Sequence, residues 1–339
     1  MSYRYLGNKA RIADRVLDVI GKRLGSGATV ADPMCGTASM SAAFKGHGFR
    51  VLASDLMTFA VQHAQVRLLL GEEPPFDGLG LRYPEALTEL NSAPHVRGLF
   101  WREYSPAGTP RAGVPARMYF TPHNASKIDG IRTVLQSWAP RLTDLERSLL
   151  HHDLVLAANR VANIAGTYGH FRSTWSSTAL KSVSLRATRF DGFIGENHEV
   201  RQGAVEALAP TISADACYLD PPYKKRQYAA NYHILETLAR GDEPEALGLS
   251  GLRDWWDQYS DFCSKRKIGD AFAAAIEPME CSLFFVSYSE DGLMSPEFMR
   301  ETLSRFGCVT REEFSHQRFK SNSGGEGGNL MEHVYVVRR

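Results

Sequence analysis

The sequence predicts an α/β fold: an open parallel sheet with helices on its faces. Three observations lead there. From Ala10 to Leu70, strand and helix patterns alternate with short connections. Apolar, β-rich runs return much later, at Ala216–Leu219 and Cys281–Tyr288. The stretch between has a different texture, so one domain is read as interrupted by a second segment.

Taken in order, Ile12, Val16, Leu17, Ile20 and Leu24 recur at helical spacing across Ala10–Leu24. Ala28–Asp32 reads as a strand entering the loop Pro33-Met34-Cys35-Gly36-Thr37, and the small residues Ala38 to Ala43 open a helix. Arg50–Ser54 is a second strand, ending at Asp55, and Phe59–Leu70 is the helix after it. Beyond Gly71 the chain is rich in Pro, Gly and Arg, with no sustained period until about residue 120. Helical patterns return at Ser126–Trp138 and from Leu142 to about Ala165; polar Gly166–Thr188 reads as exposed loop or short strand. Sheet material resumes near Val200 and at Ala216–Leu219. Asn231–Arg240, Ile268–Ile276 and Pro296–Phe306 read as helices. Val309–Phe314 and Met331–Val337 should close the sheet as a hairpin across the glycine-rich turn Ser321–Asn329. The domain is therefore read as residues 1–71 and 191–339, with 72–190 inserted.

No apolar run approaches the roughly 20 residues that cross a bilayer, and Met1-Ser2-Tyr3-Arg4 does not open a signal peptide. A soluble, cytoplasmic protein without a membrane partner is expected. The cysteines (Cys35, Cys217, Cys263, Cys281, Cys308) are odd in number and lack ligand spacing, so reduced core thiols are expected, with neither disulfides nor metal. A net charge of +1 advertises no polyanion partner, but Leu154–Phe190 holds Arg160, Arg172, Lys181, Arg186 and Arg189 without an acid. That local +5 fits phosphate tracking and an ordinary solvated face equally well.

The chemistry concentrates at Asp220-Pro221-Pro222-Tyr223, directly after the strand Ala216–Leu219. A carboxylate can accept one N–H of an exocyclic amine, and the Pro221 carbonyl, aimed by the second proline, can accept the other. Tyr223 offers a flat face for a heterocycle. A proline-rich turn closing a strand is the plainer reading of the four residues alone. In a parallel sheet, ligands bind beyond the carboxyl ends of the strands. Two more features belong there. Asp32 to Ala38 forms a glycine-bearing loop before a helix, and Asp55 ends the second strand, placed to accept ribose hydroxyls or to cap the next helix.

Together these motifs resemble the Dam-type (D12 class, α-group) N6-adenine-specific DNA methyltransferases. Arg4-Tyr5-Leu6-Gly7-Asn8-Lys9 is similar to that family's aromatic-x-Gly-x-Lys motif, Asp32–Ala38 to its glycine motif, Asp55 to its ribose acid, and Asp220–Tyr223 to its catalytic tetrapeptide. Asn163–Trp175, Ser287-Tyr288-Ser289 and the tail from Phe319 through Asn322 extend the likeness. It implies a Rossmann-like sheet using S-adenosyl-L-methionine, interrupted by a mainly helical target recognition region. Implied cofactor contacts are Tyr5, Lys9, Asp32, Pro33, Cys35, Gly36, Asp55, Gln202 and Asp220. Asp220, Pro221, Pro222 and Tyr223 inherit catalysis on an adenine flipped from double-stranded DNA. The electrophilic sulfonium methyl calls for no metal and no nucleophilic side chain.

Two departures stand out. Met34 and Ala38 replace the family's first aromatic and second glycine, and Gln202-Gly203 stand where an adenine-contacting acid is usual, with Glu206 one turn on. DNA contacts are expected from Arg160, Arg172, Lys181, Arg186, Lys224 and Lys225, with Arg226 beside them. Tyr168, Phe171 and Trp175 are read as exposed aromatics that wedge or stack, or else as a small satellite core. His123, Asn124 and Lys127 form a polar cluster that helix capping by Asn124 explains more simply. A restriction endonuclease acting on the same site is an expected partner. N4-cytosine or RNA-adenine methylation, and a catalytically silent DNA-binding subunit, are the alternatives. Intact Lys9, Asp55, Asp220 and Tyr223 argue against the last.

Overall fold

The fold comes from a computed structural model that describes residues 5–7, 9, 12–111, 113–192, 197–317 and 329–339. It divides into two compact units. One comprises Gly7–Leu69, Ile194–Tyr228 and Gln258–Arg339; the other comprises Met1–Leu6, Leu70–Phe193 and Ala229–Asp257.

The first unit holds a seven-stranded sheet. Its strands are β1 (Thr29–Asp32), β2 (Arg50–Asp55), β3 (Glu199–Gln202), β4 (Ser213–Leu219), β5 (Glu280–Ser289), β6 (Cys308–Gln317) and β7 (Asn329–Arg338). The order is β3-β2-β1-β4-β5-β7-β6. The first five strands run parallel, while β7 lies antiparallel between β5 and β6. Strand order reverses between β1 and β4, so the carboxyl ends of these two strands flank the switch point.

Both faces of this sheet are covered, which is why β4 and β5 read as nearly continuous apolar runs. Ala31, Cys217, Leu219, Phe284 and Val286 pack with the helices Ile268–Ile276 and Pro296–Ser304. On the opposite face, Val30, Ala216, Tyr218 and Phe285 meet the helices Ala13–Gly21, Ser39–Gly46 and Thr58–Leu69. The period-two alternation assigns each strand residue to one layer or the other.

The second unit is helical: Tyr83–Ser92, Leu99–Tyr104, Pro122–Trp138, Asp144–Val161 and His233–Arg240. Thr143 and Glu146 form a reciprocal capping box that starts the longest of these. The first two helices were not expected. They are short, Pro84 opens one of them, and the apolar period does not run long enough to stand out.

The expected boundary also needs correction. Ala229–Asp257 was assigned to the sheet domain, yet it packs with Leu70–Phe193. His233 is fully buried beside Tyr104 and Tyr119, at ring separations of 5.9 and 6.0 Å, and the Leu238 carbonyl meets His151 Nδ1 at 2.8 Å. The cysteines are free, and four of them are buried, but Cys308 is exposed because it begins the edge strand β6. Except for Asn329, the expected turn Ser321–Asn329 lies outside the described residues. Among the described residues, no helix is long and apolar enough to cross a membrane.

Candidate active site at the strand ends

Three strands of the first unit end on a carboxylate or directly before one: Asp32 on β1, Asp55 on β2 and Asp220 after β4. Asp55 Oδ2 accepts the Gly36 N–H and Oδ1 accepts the Met57 N–H, both at 2.8 Å. These bonds tie the glycine loop to the end of β2 and fix the carboxylate between the two strands. The same loop is held by Cys35 N–H donating to the Ser54 carbonyl at 3.1 Å. Gly36 and Ala38 are both left-handed, with φ of 52° and 54°. A glycine would be unstrained at 38. Alanine adopts this conformation at a cost of about 1–2 kcal/mol, so the replacement keeps the loop's path.

Asp32 is buried and accepts the Ser41 hydroxyl at 2.6 Å, joining β1 to the following helix. Burial pushes its carboxyl up to about 7; the Ser41 hydroxyl opposes this, and the charges of Asp220 and Asp55 add to it. Pro33 and Cys35 are buried beside it. Burial holds the Cys35 thiol far above the usual range, so it is no nucleophile.

Lys9 links the N-terminal motif to the tetrapeptide. Its Nζ lies 2.7 Å from Asp220 Oδ1 and 3.3 Å from Glu332 Oε1, with side-chain exposures of 5%, 17% and 3%. Glu332, on β7, also accepts the Ser287 hydroxyl of β5 at 2.6 Å. Burial alone would lower the Lys9 ammonium, but the carboxylates of Asp220 and Glu332 hold it well above the ordinary lysine value. Burial pushes the Asp220 carboxyl up to about 6; Lys9 opposes the rise and Glu332 reinforces it. Tyr223 meets Tyr288 edge to face at 6.2 Å, with Lys9 Nζ 5.4 Å from its ring centre. Gly7 has φ of 76°, and a Cβ there would lie 3.3 Å from the Tyr223 ring, so glycine allows the motif to approach the tyrosine closely.

The arrangement suits a cationic nucleoside. Asp32, Asp55, Asp220 and Glu332 bring four carboxyl groups to this end of the sheet against the Lys9 ammonium. Asp55 can accept ribose hydroxyls, and the surplus of negative charge favours a sulfonium. Expected contacts to the base are less direct. Gln202 is exposed and donates to Thr58 Oγ1 at 3.0 Å, while Glu206 sits half-buried, its carboxyl raised by burial. Tyr5 stacks on Tyr232 at 4.6 Å, and the Tyr232 hydroxyl accepts the Leu6 N–H at 2.7 Å, so its described partners belong to the second unit. Arg4 and Asn8 of the same motif lie outside the described residues, as does Phe319 through Asn322.

The sequence profile of the D12 class N6 adenine-specific DNA methyltransferases matches residues 5–302. The chain belongs to this family. It is 31% identical to the Type II methyltransferase M.FokI of Planomicrobium okeanokoites over 99% of its length, and 30% identical to M.NlaIII of Neisseria lactamica, again over 99%. M.CviAII of Paramecium bursaria Chlorella virus 1 is 28% identical over 98% of the chain. The match covers 99% of M.NlaIII and 97% of M.CviAII, but the chain spans only about half of M.FokI, 52%.

For a member of this family, the positions expected to meet DNA divide into exposed and engaged. Arg172, Lys181, Arg186 and Lys225 are exposed. Arg160 is half-buried and donates to the Ser184 carbonyl at 2.8 Å, and Lys224 is paired with Asp291 at 2.7 Å. Of the two readings of these aromatics, Tyr168 takes the core one: it is fully buried, and its carbonyl accepts the Tyr119 hydroxyl at 2.7 Å beneath the loop. Phe171 and Trp175 are half-buried.

Asn124 is a correction. Thr121 caps the helix, while the buried Asn124 amide donates to Ala179 O and Lys181 O and accepts the Val183 N–H at 2.9 Å. Asn163, also fully buried, donates to the carbonyls of Met118 and Arg172, both at 3.1 Å, and accepts the Ser176 N–H at 3.1 Å. Two buried amides thus hold the loop carrying the exposed cations in place. Glu332 was not singled out from sequence. It stands at a core-facing position of a strand read only as the closing hairpin, and no local signal pairs it with Lys9.

Proposed function

We propose that this protein transfers the methyl group of S-adenosyl-L-methionine to the N6 amine of an adenine flipped out of a specific double-stranded DNA sequence. The observation that carries the reading is Asp220. It is a half-buried carboxylate at the switch point, held by Lys9 and followed by a proline-fixed carbonyl and an aromatic face, in a chain of the D12 class.

S-adenosylmethionine supplies an electrophilic methyl on a positively charged sulfur. The chain's residues supply alignment and charge. Asp55 and the loop at Gly36 orient the nucleoside, while Asp32, Pro33 and Cys35 line its floor. Tyr5, Lys9, Gln202 and Asp220 complete the cofactor contacts. Asp220 accepts one N6–H and the Pro221 carbonyl the other, which turns the nitrogen lone pair out of the base plane; Pro222 fixes that carbonyl. Tyr223 stacks on the base and recovers part of the few kcal/mol lost on flipping. As the N6–carbon bond forms and the carbon–sulfur bond breaks, positive charge builds on N6. The Asp220 carboxylate stabilises it, and the surplus N6 proton leaves toward that carboxylate and solvent. No proton need leave before attack, because methylation itself acidifies N6–H.

The helical segment 72–190, together with Ala229–Asp257 that packs with it, is the proposed target recognition region. Arg172, Lys181, Arg186 and Lys225 would meet phosphates directly, with Arg160 and Lys224 supporting their loops. A restriction endonuclease reading the same sequence is the proposed partner, since the relatives named above are Type II methyltransferases. Methylation-aware sequencing of DNA from cells expressing the chain tests the reading. N6-methyladenine should recur at one short sequence and vanish with Asp220→Ala. N4-methylcytosine at that frequency would transfer the reading to the cytosine amine, and unmodified DNA would reject it.

A further inference from the structure

The Lys9 cluster contains one more carboxylate than the proposed chemistry uses. A single ammonium at Asp220 would form a neutral pair, and a neutralised carboxylate is a weak acceptor for an amine that is becoming positive. Glu332 changes the count. Its Oε1 stands 3.3 Å from the same Nζ, its side chain is 3% exposed, and the Ser287 hydroxyl holds it from the neighbouring strand at 2.6 Å. With both acids ionised, one positive charge is shared by two negative ones, and a net −1 is left in a buried place. Buried core positions rarely hold an ionised acid unless it is paired.

We infer that Glu332 is a positioning residue for methyl transfer: it shares Lys9 with Asp220 and takes up part of its charge, so that Asp220 keeps its strength as an acceptor for the amine. This rests on the reading above. Packing alone does not account for it, because an uncharged residue of the same shape would fill the same core position on β7. Nor would a hydrogen bond to Ser287, which an amide oxygen can accept equally well. What only a carboxylate supplies is the charge.

Glu332→Gln isolates that charge while keeping size and acceptor. Wild-type kcat should rise with pH through about 6, where Asp220 ionises, a limb distinct from that of Asp32, which ionises at about 7. Because Glu332 raises the Asp220 carboxyl, its removal should move this limb to lower pH. The plateau should fall by about 10-fold to 100-fold, the scale on which outer partners of a reacting group act, since a less basic carboxylate is a poorer acceptor. KM for DNA and the dissociation constant for S-adenosylmethionine should stay near wild type. Glu332→Asp, which retains the charge, should recover part of the plateau.

A carbon-13 titration of the Asp220 carboxyl in the free protein gives a second readout independent of turnover. It too should shift to lower pH in Glu332→Gln. A plateau within about twofold of wild type with an unmoved limb, or a limb moved upward, overturns the inference. Should wild type methylate no DNA at all, the functional reading fails, and the free-protein titration still decides whether Glu332 acts on Asp220. If Glu332→Gln does not fold, Glu332→Asp carries the same comparison: its titration should lie near wild type, and a large downward shift would contradict the assignment.

Discussion

Arg117 and Lys9 are both withdrawn from solvent, at 0% and 5% exposure, yet their partners differ in kind. Arg117 Nε and Nη2 donate to the carbonyls of Leu249 and Gly248, at 3.0 and 2.8 Å; Nη1 donates to the Glu103 carbonyl and carboxylate, at 2.9 and 3.1 Å. The turn it grips is held again by Tyr104 donating to Gly251 O and Tyr119 to Ser250 O. Most of these acceptors are backbone, which cannot ionise or move without unfolding the turn. Lys9 instead faces two carboxylates, one of which stands at the end of a parallel strand. A buried cation answered mainly by carbonyls holds a shape. A buried cation shared by two acids leaves charge that can act on a ligand.

The largest effect on the Arg117 side should be on stability. Arg117→Met leaves the Glu103 carboxylate buried with less compensation, at a cost of about 3–5 kcal/mol, read by urea unfolding. S-adenosylmethionine affinity should not change, because every described contact of Arg117 lies in the helical unit. If affinity falls together with stability, the two clusters do not have separate roles.

On the other side, Asp55→Ala should weaken S-adenosylmethionine binding by about 1–3 kcal/mol, since two ribose hydroxyls lose their acceptor. The glycine loop also loses the Gly36 tie. Calorimetric titration checks this, and an unchanged affinity removes Asp55 from the site. The smallest effect per residue belongs to exposed cations. Neutralising Arg172, Lys181 and Arg186 together should flatten the salt dependence of DNA binding, by roughly 0.9 in log–log slope for each phosphate that no longer meets a cation. Cofactor binding should be unaltered, and an unaltered slope would make that loop an ordinary solvated face.

The same contrast explains what the sequence disclosed. The strand ends were legible: apolar runs of period two or of continuous burial stop at Asp32, Asp55 and Leu219, and the acids follow from position alone. The loop at Gly36 was legible because only a small residue suits its left-handed backbone. Glu332 was not, since its partner Lys9 lies at the opposite end of the chain and each looks ordinary in its own neighbourhood. The helical unit was harder still. Arg117, Asn124 and Asn163 bind carbonyls far away in sequence, of Leu249, Lys181 and Met118, and such bonds leave no periodic trace. Tyr168 read equally as an exposed aromatic or as satellite core because its neighbours are polar; its partner Tyr119 comes from a distant segment. Ala229–Asp257 follows the tetrapeptide in the chain but joins the helical unit through His233, a contact that hydrophobic pattern cannot forecast.

The most direct test of the central claim, that Asp220 accepts the amine of a DNA adenine, is tritiated methyl transfer to mixed-sequence duplex DNA, followed by nucleoside analysis. Wild type and Asp220→Asn should be compared with cofactor affinity and unfolding midpoint measured on the same samples. Asparagine keeps the shape beside Lys9 and removes the charge. Wild type should yield N6-methyladenine, and the variant should lose at least about 10²-fold to 10⁴-fold in rate while binding the cofactor and unfolding much as wild type does. A variant as active as wild type, or a wild type that binds S-adenosylmethionine yet labels no adenine in any DNA, would contradict the account.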